Sequence, residues 1–192
     1  AEATVDANKL KKQKDEIVKK IFYIFFKILR SQRPSKFFDL AMKGILKYVH
    51  MIGHGIIQDL LDCLREAGEI LRQYHLKNMN KKELIYSRLA CIFTAIEINK
   101  VLGGEQIDYD EKQSVELFYL LWLDIHNYKK IQEGIELKES SLIIKLLEKL
   151  FIAKRQLSNN IVASFIKMIC LTLAKGNIKE RKFVLTLLFF LK

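Results

Sequence analysis

The chain has a single proline, Pro34, in 192 residues, and only eight glycines. That scarcity excludes proline-rich linkers and collagen-like repeats, and leaves long helices unbroken. Cysteine is scarce too. Cys63, Cys91 and Cys170 are far apart and odd in number. No pair has zinc-ligand spacing, and a disulfide framework is excluded. Each sits among apolar neighbours, so all three read as small buried thiols in a reducing compartment. The longest apolar run, Phe183 to Leu191, is too short to span a bilayer. Residues Ala1 to Asn8 lack the charged start and long apolar stretch of a signal peptide. No membrane association is expected.

Acidic residues are outnumbered. There are 33 Lys and Arg against 22 Asp and Glu, a net charge of +11. The excess favours an anionic environment: nucleic acid, an acidic protein or a membrane face. Half of the residues are hydrophobic, ample for a continuous core.

What fills the chain is apolar residues at spacings of three and four, from about residue 16 to the last. This is the pattern of helices packing on helices. Residues 1–10 read as a flexible or extended lead-in, and 11–192 as one helical-repeat domain. Eight helices are expected: Lys11–Ser31, Ser35–Ile52, Ile56–Tyr74, Asn80–Leu102, Asp110–Tyr128, Ser140–Lys154, Ser158–Lys175, and the remainder. On the first, Ile17, Ile21, Ile24, Phe25 and Ile28 form the apolar face. Ser35, Asn80, Asp110 and Ser158 or Asn159 are capping residues, and Gly53 with Gly55 ends the second helix. Consecutive pairs of about 40 residues fit an all-α solenoid of HEAT or armadillo-like antiparallel pairs. A compact bundle is the alternative. In a stack of pairs an uncovered end exposes core. The apolar last helix therefore implies a piece of a longer protein, or a partner over that end.

Candidate chemistry is sparse. His50 and His54 have the spacing of two metal ligands on one turn, but Gly53 interrupts the turn and no third ligand is in register. Gly103-Gly104-Glu105 lacks the preceding strand and following helix of a phosphate loop, so it reads as a helix stop. Nothing groups a nucleophile with a base, so no enzyme and no cofactor is expected. Basic clusters recur at Lys9 to Lys14, Lys19-Lys20, Arg30 to Lys36, Lys43-Lys47, Lys81-Lys82-Arg88, Lys145 to Arg155 and Lys179 to Lys182. Lys145 and Lys149 are four apart on one helix face, and Lys154-Arg155 continue it, a candidate stripe for phosphate contacts. A solvated helix face explains the same pattern. No base-reading module is present, so nucleic-acid contact would be to backbone and shape.

Three stretches together resemble one family. They are Phe38-Asp39-Leu40-Ala41-Met42-Lys43-Gly44-Ile45-Leu46-Lys47-Tyr48-Val49-His50, then Tyr86-Ser87-Arg88-Leu89-Ala90-Cys91-Ile92-Phe93 with Gly103-Gly104-Glu105, then Lys154-Arg155-Gln156-Leu157-Ser158 with Ala163-Ser164-Phe165-Ile166-Lys167 and Leu171-Thr172-Leu173-Ala174. In this order and spacing they are similar to the CCAAT-binding-factor domain of the nucleolar complex protein three family. The resemblance implies a helical-repeat scaffold in precursor large (60S) ribosomal subunits, in the nucleolus. It implies a heterodimer with a nucleolar complex protein two-like partner, and proximity to ribosomal RNA and other assembly factors. It makes Lys145, Lys149, Lys154, Arg155 and Lys167 candidate RNA contacts, and Gly44, Lys47, Tyr48 and His50 a partner or packing motif. Gly44 is expected to let two helices approach closely. Ile161 and Met168 stand where the family often carries basic residues. The alternatives are a chromatin-associated adaptor in DNA replication initiation and a protein-only adaptor.

Overall fold

The structure is a computed structural model that describes residues 2–31, 37–74, 81–101, 111–127, 137–152, 157–175 and 181–191. Pro34, Ser35, Asn80, Gly103-Gly104 and Asp110, the stops and caps read from sequence, lie outside these residues. Among the described residues there are eight α-helices and no strand. They are α1 (Glu2–Leu29), α2 (Phe38–Tyr48), α3 (His54–Tyr74), α4 (Lys81–Val101), α5 (Glu111–Asn127), α6 (Leu137–Leu147), α7 (Asn159–Ala174) and α8 (Arg181–Phe190). A 3-10 turn, Val49–Met51, follows α2, and a π-helical segment, Glu148–Ile152, continues α6. No described helix is long and apolar enough to cross a membrane.

The helix ends differ from the expectation in instructive ways. Helix α1 begins at Glu2, where a lead-in was expected. Glu2, Ala3 and Ala7 favour helix without supplying an apolar stripe, so the pattern carries no sign of it beyond propensity. Gly53 does not close α2. Its carbonyl accepts from the Ile56 and Ile57 amides at 3.1 and 3.2 Å, so it opens α3. Ser158 does stand at the N-cap of α7, but its hydroxyl makes no capping bond.

Helix α4 organises the packing. Every residue from Leu84 to Asn99 is buried or half-buried. Leu84, Cys91, Ala95 and Ile98 join a core with α1, α2 and α3. Ile85, Leu89, Ile92 and Ile96 join a second core with α5 to α8. Two apolar stripes about a third of a turn apart explain why α4 shows no single dominant face: it is greasy nearly all round. A buried residue such as Leu89, 0 % exposed, contributes roughly 2–3 kcal/mol by removal from water.

The contact order is regular. Besides the pairs α1–α2 and α3–α4, helices two apart in the chain touch: α1–α3, α2–α4, α4–α6, α5–α7 and α6–α8. The even-numbered helices form a continuous row, α2–α4–α6–α8, while the odd-numbered ones meet as α1–α3 and α5–α7. Helix α4 also meets α5, which joins the two cores.

Large apolar residues left exposed are distributed unevenly. Leu10, Ile17, Tyr23, Ile24, Phe37, Leu40 and Met51 lie on or beside α1 and α2, Ile166, Leu171, Leu185, Leu188 and Phe189 on α7 and α8, and Ile152 at the end of the π-helical segment after α6. Among the described residues none lies on α3, α4 or α5.

Candidate macromolecular interface

Three polar contacts anchor the family-like stretches, one between two of them and two from them to α5. On α2, Asp39 accepts a hydrogen bond from the Tyr86 hydroxyl of α4 at 2.6 Å. Its other oxygen pairs with Lys43 one turn on, at 2.7 Å. Burial pushes the Tyr86 phenol upward, and the hydrogen bond to Asp39 adds to the shift, so the hydroxyl stays a donor. Arg88, 3 % exposed, pairs with Asp124 of α5 at 2.7 Å. On the other side of the stack, the Trp122 indole N–H donates to Thr172 at 3.0 Å, and Thr172 donates to the Met168 carbonyl at 2.7 Å. Phe165 stacks on Phe118 and meets Tyr119 and Phe151 edge-on.

These contacts correct two readings. Arg88 was grouped with surface lysines, but it is a buried cation neutralised by a carboxylate from another helix, and so is not available to phosphate. The three cysteines were expected to be buried alike. Cys63 and Cys91 are, and burial pushes both thiols up, whereas Cys170 is exposed on α7.

The proposed cationic stripe is only partly assembled. Lys145 is exposed on α6. Lys149 is in the π-helical segment, whose wider turn shifts it out of the α-helical register with Lys145. It is half-buried, ion-paired with Glu97 of α4, and lies 5.6 Å from the Phe93 ring centroid. Its charge therefore ties the π segment to α4. Lys154 and Arg155 lie outside the described residues. Lys167 is exposed on α7, where most of the exposed neighbours on its face, Ala163, Ser164, Ile166, Cys170, Leu171 and Ala174, are uncharged and Lys175 is the next cation. That face is chemically closer to a protein interface than to a phosphate track.

The Gly44 motif divides by orientation. Gly44 packs directly against α1: a Cβ there would overlap the Phe25 ring. Tyr48 packs part-buried against the first core. Lys47 is exposed, its ammonium 5.3 Å from the Tyr48 ring centroid, and His50 is exposed in the 3-10 turn. Gly44 and Tyr48 thus pack, while Lys47 and His50 face outward. His54 is exposed as well, and among the described residues no three of His, Cys, Asp and Glu converge in a way that could hold a metal ion. A cleft of about 430 Å³ between α1 and α3 is lined by Tyr23, Phe26, Lys27, Arg30, Ser31 and Asp59.

Sequence reasoning missed the exposed apolar faces of the end helices, except on α8. On α1 the signal was present as a seven-residue spacing, Leu10, Ile17, Ile24.

The chain is 25% identical to the fruit-fly (Drosophila melanogaster) protein named nucleolar complex protein 3 over 155 residues, which cover 79% of this chain and 17% of that protein. The chain is similar to nucleolar complex protein 3. The mouse homolog is 26% identical over 174 residues, 88% of this chain and 19% of the mouse protein. The nucleolar complex-associated protein 3 of Schizosaccharomyces pombe is 28% identical over 110 residues, 57% of this chain and 14% of its own length. The chain thus matches less than a fifth of each of these curated relatives' length. No protein-family model matches the chain, and no solved structure matches it. The likeness to nucleolar complex protein 3 and the all-α stack agree with the resemblance carried by the three stretches.

Proposed function

We propose that the chain is a non-enzymatic scaffold segment that acts in the nucleolus during assembly of the precursor large ribosomal subunit. In this reading its helix pairs form part of an α-solenoid. One surface holds a second nucleolar complex protein, similar to nucleolar complex protein two, and basic residues elsewhere lie near precursor ribosomal RNA. The observation that carries the reading is the similarity to nucleolar complex protein 3 from fly to fission yeast, over most of this chain. The physical character of the surface supports it. Charges such as Arg88 and Lys149 are spent inside the stack, and apolar faces at both ends are left for macromolecules to cover.

The test is sedimentation of the full-length protein from nuclear extract. The reading expects co-migration with precursor large-subunit particles, together with a second helical-repeat protein, and release from RNA as salt rises. Exclusive recovery with chromatin would replace it with a role in replication initiation.

A further inference from the structure

Helix α1 carries two apolar faces, and one of them is largely exposed. Val18, Phe22 and Leu29 are buried in the first core. Leu10, Ile17 and Ile24 recur every seventh residue and are 55 %, 57 % and 54 % exposed. At about 100° per residue, they form a stripe with Ile21 and Ile28, turned roughly a quarter-turn from the core face. Spacings of three and four along Ile17, Ile21, Ile24 and Ile28 are those of one side of a coiled coil.

Helix α2 supplies the second wall. Gly44 brings it against Phe25, and Phe37 and Leu40, on the same face of α2 as Gly44, are 62 % and 61 % exposed. A seam from α1 and a ridge from α2 therefore flank this contact.

The charge around the seam selects its occupant. Between Lys9 and Arg30 there are eight basic residues and two acidic ones, Asp15 and Glu16. Asp15 is on the far side of the helix from the seam, and Glu16 precedes Lys20 by one turn. Lys20 flanks the seam on the side away from the core, and Lys27, seven residues on, reaches over the Tyr23 ring at the edge of the α1–α3 cleft. Lysines at these flanking positions pair with carboxylates of a facing helix. We infer that the α1–α2 groove binds an amphipathic α-helix with an apolar a/d face and acidic flanks. From Leu10 to Ile28 the seam is about 27 Å long at 1.5 Å per residue, five turns of such a helix. The inference stands on α1 and α2 alone and holds whichever assembly the chain works in.

The probe is a fluorescent 21-residue peptide of three heptads with Leu at a and d and Glu at e and g. Like-charge flanks keep it from pairing with itself. Its twin carries Lys at e and g, and single-stranded poly-U RNA is the third ligand. The expected result is binding of the acidic peptide by the 192-residue chain and none of the twin. Lys20→Glu with Lys27→Glu should weaken the acidic peptide at least tenfold and admit the twin. Ile17→Gln with Ile24→Gln should weaken it at least tenfold with an unchanged thermal midpoint, because both side chains are already exposed. Equal binding of the two peptides, or of neither, overturns the inference. So does RNA binding that the lysine changes abolish and the isoleucine changes leave intact, which would make α1 a phosphate-binding helix. The charge-reversal pair keeps the test decisive even if the isoleucine variant fails to fold.

Discussion

Helix α7 is the more apolar of α4 and α7, yet it is the one left with apolar residues in solvent. Each described residue of α4 from Leu84 to Asn99 is buried or half-buried, because α2, α3, α5 and α6 surround it. Helix α7 buries Phe165, Met168, Ile169 and Thr172 and leaves Ile166, Cys170 and Leu171 in solvent. The same contrast separates the middle of the stack from the α1–α2 pair. Helix α4 packs against α2, α3, α5 and α6, whereas the main helical neighbour of α7 is α5. Apolar surface that is buried around α4 is left exposed on α1, α2, α7 and α8. Most of the candidate functional area follows from position in the stack, and little of it from special residues.

The sharpest way to break this contrast is to cut the same chemistry in both places. Leu89→Ala in α4 should cost about 3 kcal/mol in urea unfolding, because the buried side chain leaves a cavity. Phe189→Ser on α8, where the ring is 75 % exposed, should cost less than about 0.5 kcal/mol in the isolated chain and weaken the native complex. Equal costs would mean that the ends are packed as tightly as the middle.

Arg88→Ala should follow closely, at about 2–4 kcal/mol, since it removes a buried charge from Asp124 at the joint between the two cores. Loss of cooperativity, visible as two unfolding transitions, would further show that α4–α5 contact couples the cores.

Lys149→Ala should cost about 0.5–1 kcal/mol, since the half-buried pair with Glu97 is partly screened by solvent. Lys145→Ala, at an exposed position, should leave stability unchanged. A drop in RNA affinity for Lys145→Ala without one for Lys149→Ala would confine phosphate contact to the outer face of α6.

The smallest effect concerns pH. Burial lowers the His126 pKa from its ordinary 6.5, and the nearby Lys175 lowers it further, so the fold prefers neutral imidazole. The unfolded chain binds the proton more readily, so this contribution is present above pH 6.5 and is lost as pH falls through the lower folded value. His126→Gln should flatten the stability profile between about pH 5 and 7, the range set by the unfolded histidine pKa; an unchanged slope would assign the acid sensitivity to other groups.

The amphipathic spacing made the helices legible, and it located all eight within a few residues at most ends. It failed where a helix has two apolar faces. On α1 the expected face included Ile17 and Ile24, but Val18, Phe22 and Leu29 enter the core instead. Both sets have helical spacing, and only the position of α2 and α3 decides between them. Charge was misread for a related reason. Arg88 looks like surface lysine until Asp124, thirty-six residues away, is folded beside it. The Lys145–Lys149 register assumed an ideal helix, which the π-helical segment breaks. Gly44 was legible because close approach has one common chemical solution, the loss of a side chain.

The central claim is that the middle of this stack is closed and its ends are surfaces for other macromolecules. Hydroxyl-radical footprinting of the isolated chain, compared with the same protein in its native complex, reads this directly from side-chain reactivity. The account predicts that Ile17, Ile24, Phe37, Leu40, Leu185 and Phe189 react in isolation and are protected in the complex, while Leu89 and Ile98 of α4 react in neither. End residues as reactive in the complex as alone would contradict it.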